Sequence, residues 1–157
     1  MELKDYQSLT KQAIALIETE KNLIANLSNL SALINVELKD VNWVGFYLMD
    51  GDELVLGPFQ GKPACIRIPL GRGVCGTAVA TNQVQRIQDV HEFVGHIACD
   101  GQTNSEIVIP FSIEGKIAGV LDIDSPKLSR FSEIDEKGLV DLMNKVEKVL
   151  NSQAIEV

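Results

Sequence analysis

The chain has 157 residues, 45% of them hydrophobic, and a formal net charge of -8 at pH 7. That length fits one domain with a buried core, and an acidic chain without Lys/Arg clusters lacks the basic surface that binds nucleic acid or anionic membranes. Because no apolar run approaches the ~20 residues of a membrane span, and the N-terminus lacks a signal peptide's apolar core, we expect a cytoplasmic protein.

Helices are predicted at both ends of the chain. Apolar residues recur at helical spacing through the first forty residues, with a break at residues 20–22 that separates two helices. At the other end, Ser132 followed by Asp135 is typical of a helix start, and an apolar stripe from Ile134 to Val149 continues that helix. Gly138 lies inside it and weakens its helical propensity.

Strand patterns fill the region between these helices. The predicted strands are 43–49, 53–59, 65–70, 84–90 and the two halves of a hairpin over 106–124. The glycine-rich segment 71–83 is predicted as a turn that runs into a short helix. Terminal helices around a mostly antiparallel sheet indicate an α+β fold.

Three carboxylates occur in the last hairpin. Asp122 and Asp124 are two residues apart on one strand and therefore face the same side of the sheet. A two-residue loop would place Glu106 opposite Ile123, on the other side. A three-residue loop with Gly115 in the left-handed conformation would pair Glu106 with Asp122, and all three carboxylates would share a face.

Such a cluster repels itself, so a cationic ligand, a metal or a proton donor with a raised pKa would explain it better than a purely structural role. The alternative is that Asp122 ends the strand and Asp124 is an ordinary turn residue before Ser125 and Pro126. Trp43 and Tyr47 also share a strand face; core packing explains such a pair, and so does one wall of a small pocket.

The three cysteines, Cys65, Cys75 and Cys99, are expected to be thiols in a reducing compartment, where any disulfide would be transient. Their spacing with His91 and His96 does not match the usual zinc patterns, and both histidines are interpreted as structural. Residues 71–76, GRGVCG, lack a nucleotide-binding pattern. Backbone amides there could receive a carboxylate or lower the pKa of Cys75.

Taken together, these residues resemble the free methionine-(R)-sulfoxide reductases, which are stand-alone GAF domains. The segments that carry the resemblance are NWVGFYL, LVLGPFQGKPACIRIPLGRGVCGTA, DVHEF with GHIACD, SEIVIPF and GVLDIDSP, and they cover roughly residues 40–135. The resemblance implies a GAF-like α+β fold in which the terminal helices pack on one side of the sheet. It implies one GAF domain over 1–157, with N-terminal helices in 1–39, the sheet and active-site loops in 40–131, and the last helix in 132–153.

The resemblance also implies a reaction and its residues. The enzyme would reduce free L-methionine-(R)-sulfoxide to methionine, with Cys99 as the attacking thiol, Cys65 as the resolving thiol, and Cys75 as a further family cysteine that could also resolve. A thioredoxin-type dithiol would reduce the resulting disulfide. The substrate-binding residues implied are Trp43, Tyr47, Glu106, Asp122 and Asp124.

No cofactor or metal is implied, and a homodimer is expected from the resemblance. A carboxylate cluster suits an amino acid's ammonium group and the proton that the sulfoxide oxygen needs, while an aromatic wall suits its S-methyl group. We therefore predict the three-residue hairpin loop, which brings Glu106 to the face of Asp122 and Asp124.

Overall fold

The computed structural model describes residues 1–97 and 101–155. The strands are β1 (Trp43–Asp50), β2 (Glu53–Gly61), β3 (Arg67–Pro69), β4 (Gln85–Ile87), β5 (Ser105–Ile113) and β6 (Lys116–Ser125). The helices are α1 (Leu3–Ile17), α2 (Leu23–Glu37), α3 (Gly73–Thr81) and α4 (Glu133–Ile155), and a 3₁₀ turn covers Val90–Glu92. The strands form one sheet in the order β3-β2-β1-β6-β5-β4. Every pair in it is antiparallel, which confirms the predicted α+β class.

The terminal helices cover one face of the sheet. Helix α2 packs on β1 and β2, α4 packs on β5, and α1 packs on α4 and α2. Alternate strand residues point into this layer, so Val44, Phe46 and Leu121 are fully buried against the helices. The short helix α3 lies on the opposite face, against β5 and β6. None of the described helices is both long and apolar enough to cross a membrane.

Side chains cap the starts of α2 and α4, and the cap of α4 is the predicted one. The Asn22 side chain accepts a hydrogen bond of 2.9 Å from the Ala25 amide at the start of α2. Before α4, Asp135 Oδ2 accepts from the Ser132 amide at 2.9 Å, and the Ser132 hydroxyl accepts from the Asp135 amide at 3.2 Å. Ile134 is 47% exposed, so the buried stripe of α4 begins only at Leu139.

The β5–β6 hairpin differs from the predicted register. Its loop has two residues, Glu114 and Gly115, both with positive φ, so the predicted three-residue loop is wrong. A bulge then shifts the pairing, because Ser112 pairs with Ile117 whereas Phe111 pairs with Gly119.

Beyond this bulge Glu106 pairs with Asp124, and directly paired residues of antiparallel strands point to the same side. Glu106 and Asp122 therefore do share a face, as predicted. The bulge offsets the register by one residue in the direction opposite to that assigned to the loop, so the predicted pair of Glu106 with Asp122 is wrong although the shared face is right.

We expect Gly138→Ala to destabilise the protein by about 1–3 kcal/mol, although alanine favours helix more than glycine does. A Cβ at Gly138 would overlap the ring of Tyr6, which is 1% exposed and donates a hydrogen bond to Asp135 Oδ1 at 2.5 Å. Urea unfolding would measure the loss. The exposed Asn144 of the same helix is the control, and Asn144→Ala should be neutral or slightly stabilising. A Gly138→Ala variant as stable as the wild type would show that α1 and α4 can separate at little cost.

Candidate functional site

Side chains of three adjacent strands meet on the face opposite the terminal helices. One row across the sheet carries Trp43 of β1, Asp124 of β6 and Glu106 of β5. In the next row Asp122 lies beside Gly45, which has no side chain, and the Trp43 ring folds over that glycine. The sheet register alone therefore brings the three predicted carboxylates next to the predicted aromatic residue.

Helix α3 adds a thiol to this group. Cys75, 4% exposed, lies on α3 where the helix crosses β5 and β6. Its Sγ donates a hydrogen bond to Asp122 Oδ2 at 3.4 Å. The Cys75 Sγ atom and one carboxyl oxygen each of Glu106 and Asp122 lie within 4.8 Å of one another, and the three side chains are buried.

These groups line one cavity that encloses about 550 Å³ of empty space, part of it open to solvent. The carboxylates and Cys75 lie at its base, and Trp43 and Tyr47 form one wall. The other lining residues are Pro63, Ala64, Ile68, Gly73, Val74, His96, Ile97 and Thr103. The cavity is acidic at its base and apolar at its sides, a combination that suits a small cationic ligand with an apolar end.

The aromatic wall is held by backbone contacts. Trp43 Nε1 donates to the Lys62 carbonyl at 3.1 Å, and the Tyr47 hydroxyl donates to the Cys65 carbonyl at 2.9 Å. The Trp43 and Tyr47 rings are stacked with their centroids 5.8 Å apart. Burial, and then the negative charge of Asp122, raises the pKa of Tyr47, so its hydroxyl stays protonated and keeps this bond.

Asp122 is a strongly perturbed carboxyl group of the cavity. It is 5% exposed, and burial, followed by the negative charges of Asp124 and Glu106, raises its pKa well above the ordinary value. A hydrogen bond with the Glu106 side chain raises the Asp122 pKa further, and such a bond between two carboxyl groups requires one shared proton. Its Oδ1 is buried and has no hydrogen-bond partner among the described residues.

The environment of Cys75 contradicts one sequence-based suggestion. Despite its place in the first turn of α3, this thiol does not have a lowered pKa. Burial, then the charges of Glu106 and Asp124, raises it well above the ordinary value, although the bond to Asp122 acts in the opposite direction. Cys75 is therefore a neutral thiol at neutral pH, since the thiolate would be one more anion in an acidic, buried cluster.

The structure describes two of the three predicted cysteines, Cys65 and Cys75, and their states differ. Cys65 is half-buried and disulfide-bonded, whereas Cys75 is a free thiol. Cys99 lies outside the described residues. The remaining predicted site residues, Trp43, Tyr47, Cys75, Glu106, Asp122 and Asp124, all line the cavity.

Sequence reasoning missed two polar residues of the cavity. Thr103 is 5% exposed, and its hydroxyl accepts a hydrogen bond of 3.2 Å from the Asn42 amide. His96, which we had interpreted as structural, lines the cavity, with its ring centroid 6.5 Å from that of His91. Both lie in loop segments without periodicity, so only the position of Thr103 beside Cys99 and Glu106 in the chain could have suggested it.

Comparison with known proteins shows the family to which the chain belongs. Residues 29–151 match the GAF domain family. The chain is 59% identical over 145 residues to the free methionine-R-sulfoxide reductase of Escherichia coli (strain K12), covering 92% of this chain and 88% of that protein.

Two solved structures are similar along nearly the whole chain. The structure of fRMsr of Staphylococcus aureus in complex with substrate has a TM-score of 0.88 and 54% identity, covering 92% of this chain and 95% of that one. Free methionine-R-sulfoxide reductase from Neisseria meningitidis, in complex with its substrate, has a TM-score of 0.91 and 42% identity, covering 97% and 92%. The chain therefore belongs to the GAF domain family and, within it, to the free methionine-R-sulfoxide reductases.

Proposed function

We propose that this protein reduces free L-methionine-(R)-sulfoxide to methionine in the cavity between β1, β6, β5 and α3. The observation that carries the proposal is the meeting of Glu106, Asp122 and Asp124 with Trp43 and Tyr47 in one cavity. The activity is the one that the names of relatives such as the Escherichia coli protein state.

The carboxylates bind the substrate's ammonium group and provide a proton. The buried Asp122 Oδ1 has no hydrogen-bond partner among the described residues, so an ammonium N–H satisfies a buried acceptor that otherwise costs stability. Asp122 shares a proton with Glu106, and that pair can deliver it to the sulfoxide oxygen as the S–O bond breaks. Trp43 gives the S-methyl group an apolar surface.

We propose that Cys99 is the nucleophile. Its thiolate attacks the sulfoxide, the oxygen is transferred to Cys99 with uptake of the proton, and methionine leaves while Cys99 becomes a sulfenic acid. A second thiol then attacks that sulfur, which forms a disulfide and releases water. The cysteine sulfur loses two electrons in the first step, and the sulfoxide sulfur gains them.

Cys65 is the better candidate for this second thiol. It is half-buried and disulfide-bonded, whereas Cys75 is a buried free thiol whose raised pKa makes it a poor nucleophile. The disulfide that we propose joins Cys65 to Cys99. A dithiol of the thioredoxin type then reduces it, which is consistent with a cytoplasmic enzyme. We further propose that the whole chain forms one GAF domain and that two chains form a homodimer.

The test is the release of methionine from chemically distinct substrates. With dithiothreitol as reductant, the protein should convert free L-methionine-(R)-sulfoxide but neither the S epimer nor an N-acetylated R-sulfoxide, since acetylation removes the ammonium group. Cys99→Ser should abolish turnover. Peroxide oxidation of the thiols without any methionine release would instead identify a redox-sensing GAF domain and overturn the proposal.

A further inference from the structure

A thiol lies beside two carboxyl groups at the base of the cavity. Cys75 Sγ is 3.4 Å from Asp122 Oδ2, and the donor atoms of Cys75, Asp122 and Glu106 lie within 4.8 Å of one another. In a tetrahedral zinc site with bonds of about 2.0–2.3 Å, neighbouring ligand atoms are about 3.5 Å apart. The three groups therefore need only small side-chain movements to share one ion.

An independent observation also points to a cation. Asp122 lines the cavity and is only 5% exposed. Its Oδ1 is buried and has no hydrogen-bond partner among the described residues. A buried carboxyl oxygen without a donor is costly, and no Lys or Arg is among the described residues that line this cavity. A metal ion would satisfy that oxygen, replace the proton that Asp122 shares with Glu106, and offset the repulsion between the carboxylates that remain.

The type of donor selects the type of metal. One thiolate with two carboxylates suits a borderline-soft ion such as Zn²⁺, whereas Mg²⁺ and Ca²⁺ prefer oxygen ligands alone. We propose that Cys75, Glu106 and Asp122 form a binding site for Zn²⁺, and that a bound ion excludes free methionine sulfoxide from the cavity. Binding releases to solvent both the Cys75 S–H proton and the proton that Asp122 shares with Glu106, so the affinity increases with pH.

The exclusion of substrate by the ion rests on the proposed function, because the ion and the substrate would bind to the same carboxyl groups. The carboxyl groups that would bind the ion, Glu106 and Asp122, are those proposed to bind the substrate's ammonium group and hold its proton. One cavity base cannot serve both ligands at once. Zn²⁺ is thus an inhibitor that competes with substrate, and the reaction itself does not require it.

The first experiment measures binding of the metal ion and does not depend on enzymatic turnover. In the disulfide form Cys75 is the free thiol of the described residues, so titration with Co²⁺, a spectroscopic substitute for Zn²⁺, should give a sulfur-to-cobalt charge-transfer band at about one ion per chain. Cys75→Ser should abolish that band. Asp122→Asn should weaken binding at least about tenfold, the loss typical of removing even an outer partner of a metal ligand.

The control removes the same charge elsewhere. Asp141→Asn, on the exposed face of α4, should leave the titration unchanged. No charge-transfer band in the disulfide form, or a band that persists in Cys75→Ser, would overturn the proposal.

The second experiment tests exclusion in a single turnover. Pre-reduced, desalted enzyme is mixed with the R-sulfoxide, with or without Zn²⁺, and methionine is counted for each variant relative to its own zinc-free yield. Zn²⁺ should suppress the wild type and leave most of the yield of Cys75→Ser. Equal suppression of both would assign the inhibition to the other thiols. If the wild type released no methionine even without Zn²⁺, the proposed function would be contradicted. The cobalt titration would still test the metal site.

Discussion

Replacing Glu106 with glutamine is expected to lower kcat/KM for free methionine-(R)-sulfoxide by about 100-fold or more, the range typical of losing general acid–base catalysis. The Glu106 side chain shares a hydrogen bond with Asp122, and its charge is one of those that raise the Asp122 pKa. Without that charge Asp122 loses its proton more readily, and the substrate's ammonium group loses a carboxylate partner. Steady-state kinetics of methionine release would measure both effects.

The chemically identical change at the far end of the hairpin is the control. Glu114 is exposed in the β5–β6 turn, and Glu114→Gln should retain full activity. Glu106→Gln should also keep its rate of thiol oxidation by peroxide, because that reaction needs no ammonium-binding site. A Glu106→Gln variant that reduces the sulfoxide at the wild-type rate would show that the acidic cluster does not take part in the reaction.

The position of Glu106 shows how far the sequence alone could predict the site. Alternation along one strand is local, so the shared face of Asp122 and Asp124 follows from their spacing. Pairing between strands is not local, because a single bulged residue moves every later pair by one position. The bulge lies between the Phe111 and Ser112 pairs, where no glycine-rich turn pattern marks it. We predicted the correct face through the wrong loop.

Cys75 shows a second limit. It lies 31 positions before Glu106 and 47 before Asp122 in the chain (106 minus 75 and 122 minus 75), so no short motif connects them. The contact exists because α3 crosses the face that the terminal helices leave uncovered. The predicted effect of the α3 amides on Cys75 failed for the same reason, since burial and two carboxylates outweigh a helix terminus.

Elements with strong periodicity were predicted more reliably. The break at residues 20–22 matches the end of α1 at Ile17 and the Asn22 cap of α2. Ser132 and Asp135 form the expected reciprocal bonds. Periodicity did not predict which apolar residues at the margin of a stripe are buried, because their burial depends on where neighbouring elements end. Ile134, which is exposed, is an example.

Asp122→Asn is expected to make the protein more stable at neutral pH, by about 1–2 kcal/mol, while lowering its activity by about 100-fold or more. An asparagine amide can donate to Glu106 in place of the Asp122 proton, and its oxygen can still accept from Cys75. The substitution therefore keeps the hydrogen bonds of the cluster and removes the cost of holding this buried carboxyl protonated at a pH where the aspartate of the unfolded chain is ionised. It also removes the proton and the charge that the proposed reaction uses.

The pH dependence of stability identifies the cause. A carboxyl whose pKa is raised on folding contributes stability that is fully present below its unfolded pKa, about 3.9 for aspartate, and that is lost as the pH rises through the folded value. The free energies of unfolding of wild type and Asp122→Asn should therefore converge near pH 4 and separate as the pH rises. Asp141→Asn, which removes an exposed charge, should show no such separation. An Asp122→Asn variant less stable than the wild type at neutral pH would mean that Asp122 is ionised and held by a cation, and the shared proton with Glu106 would have to be abandoned.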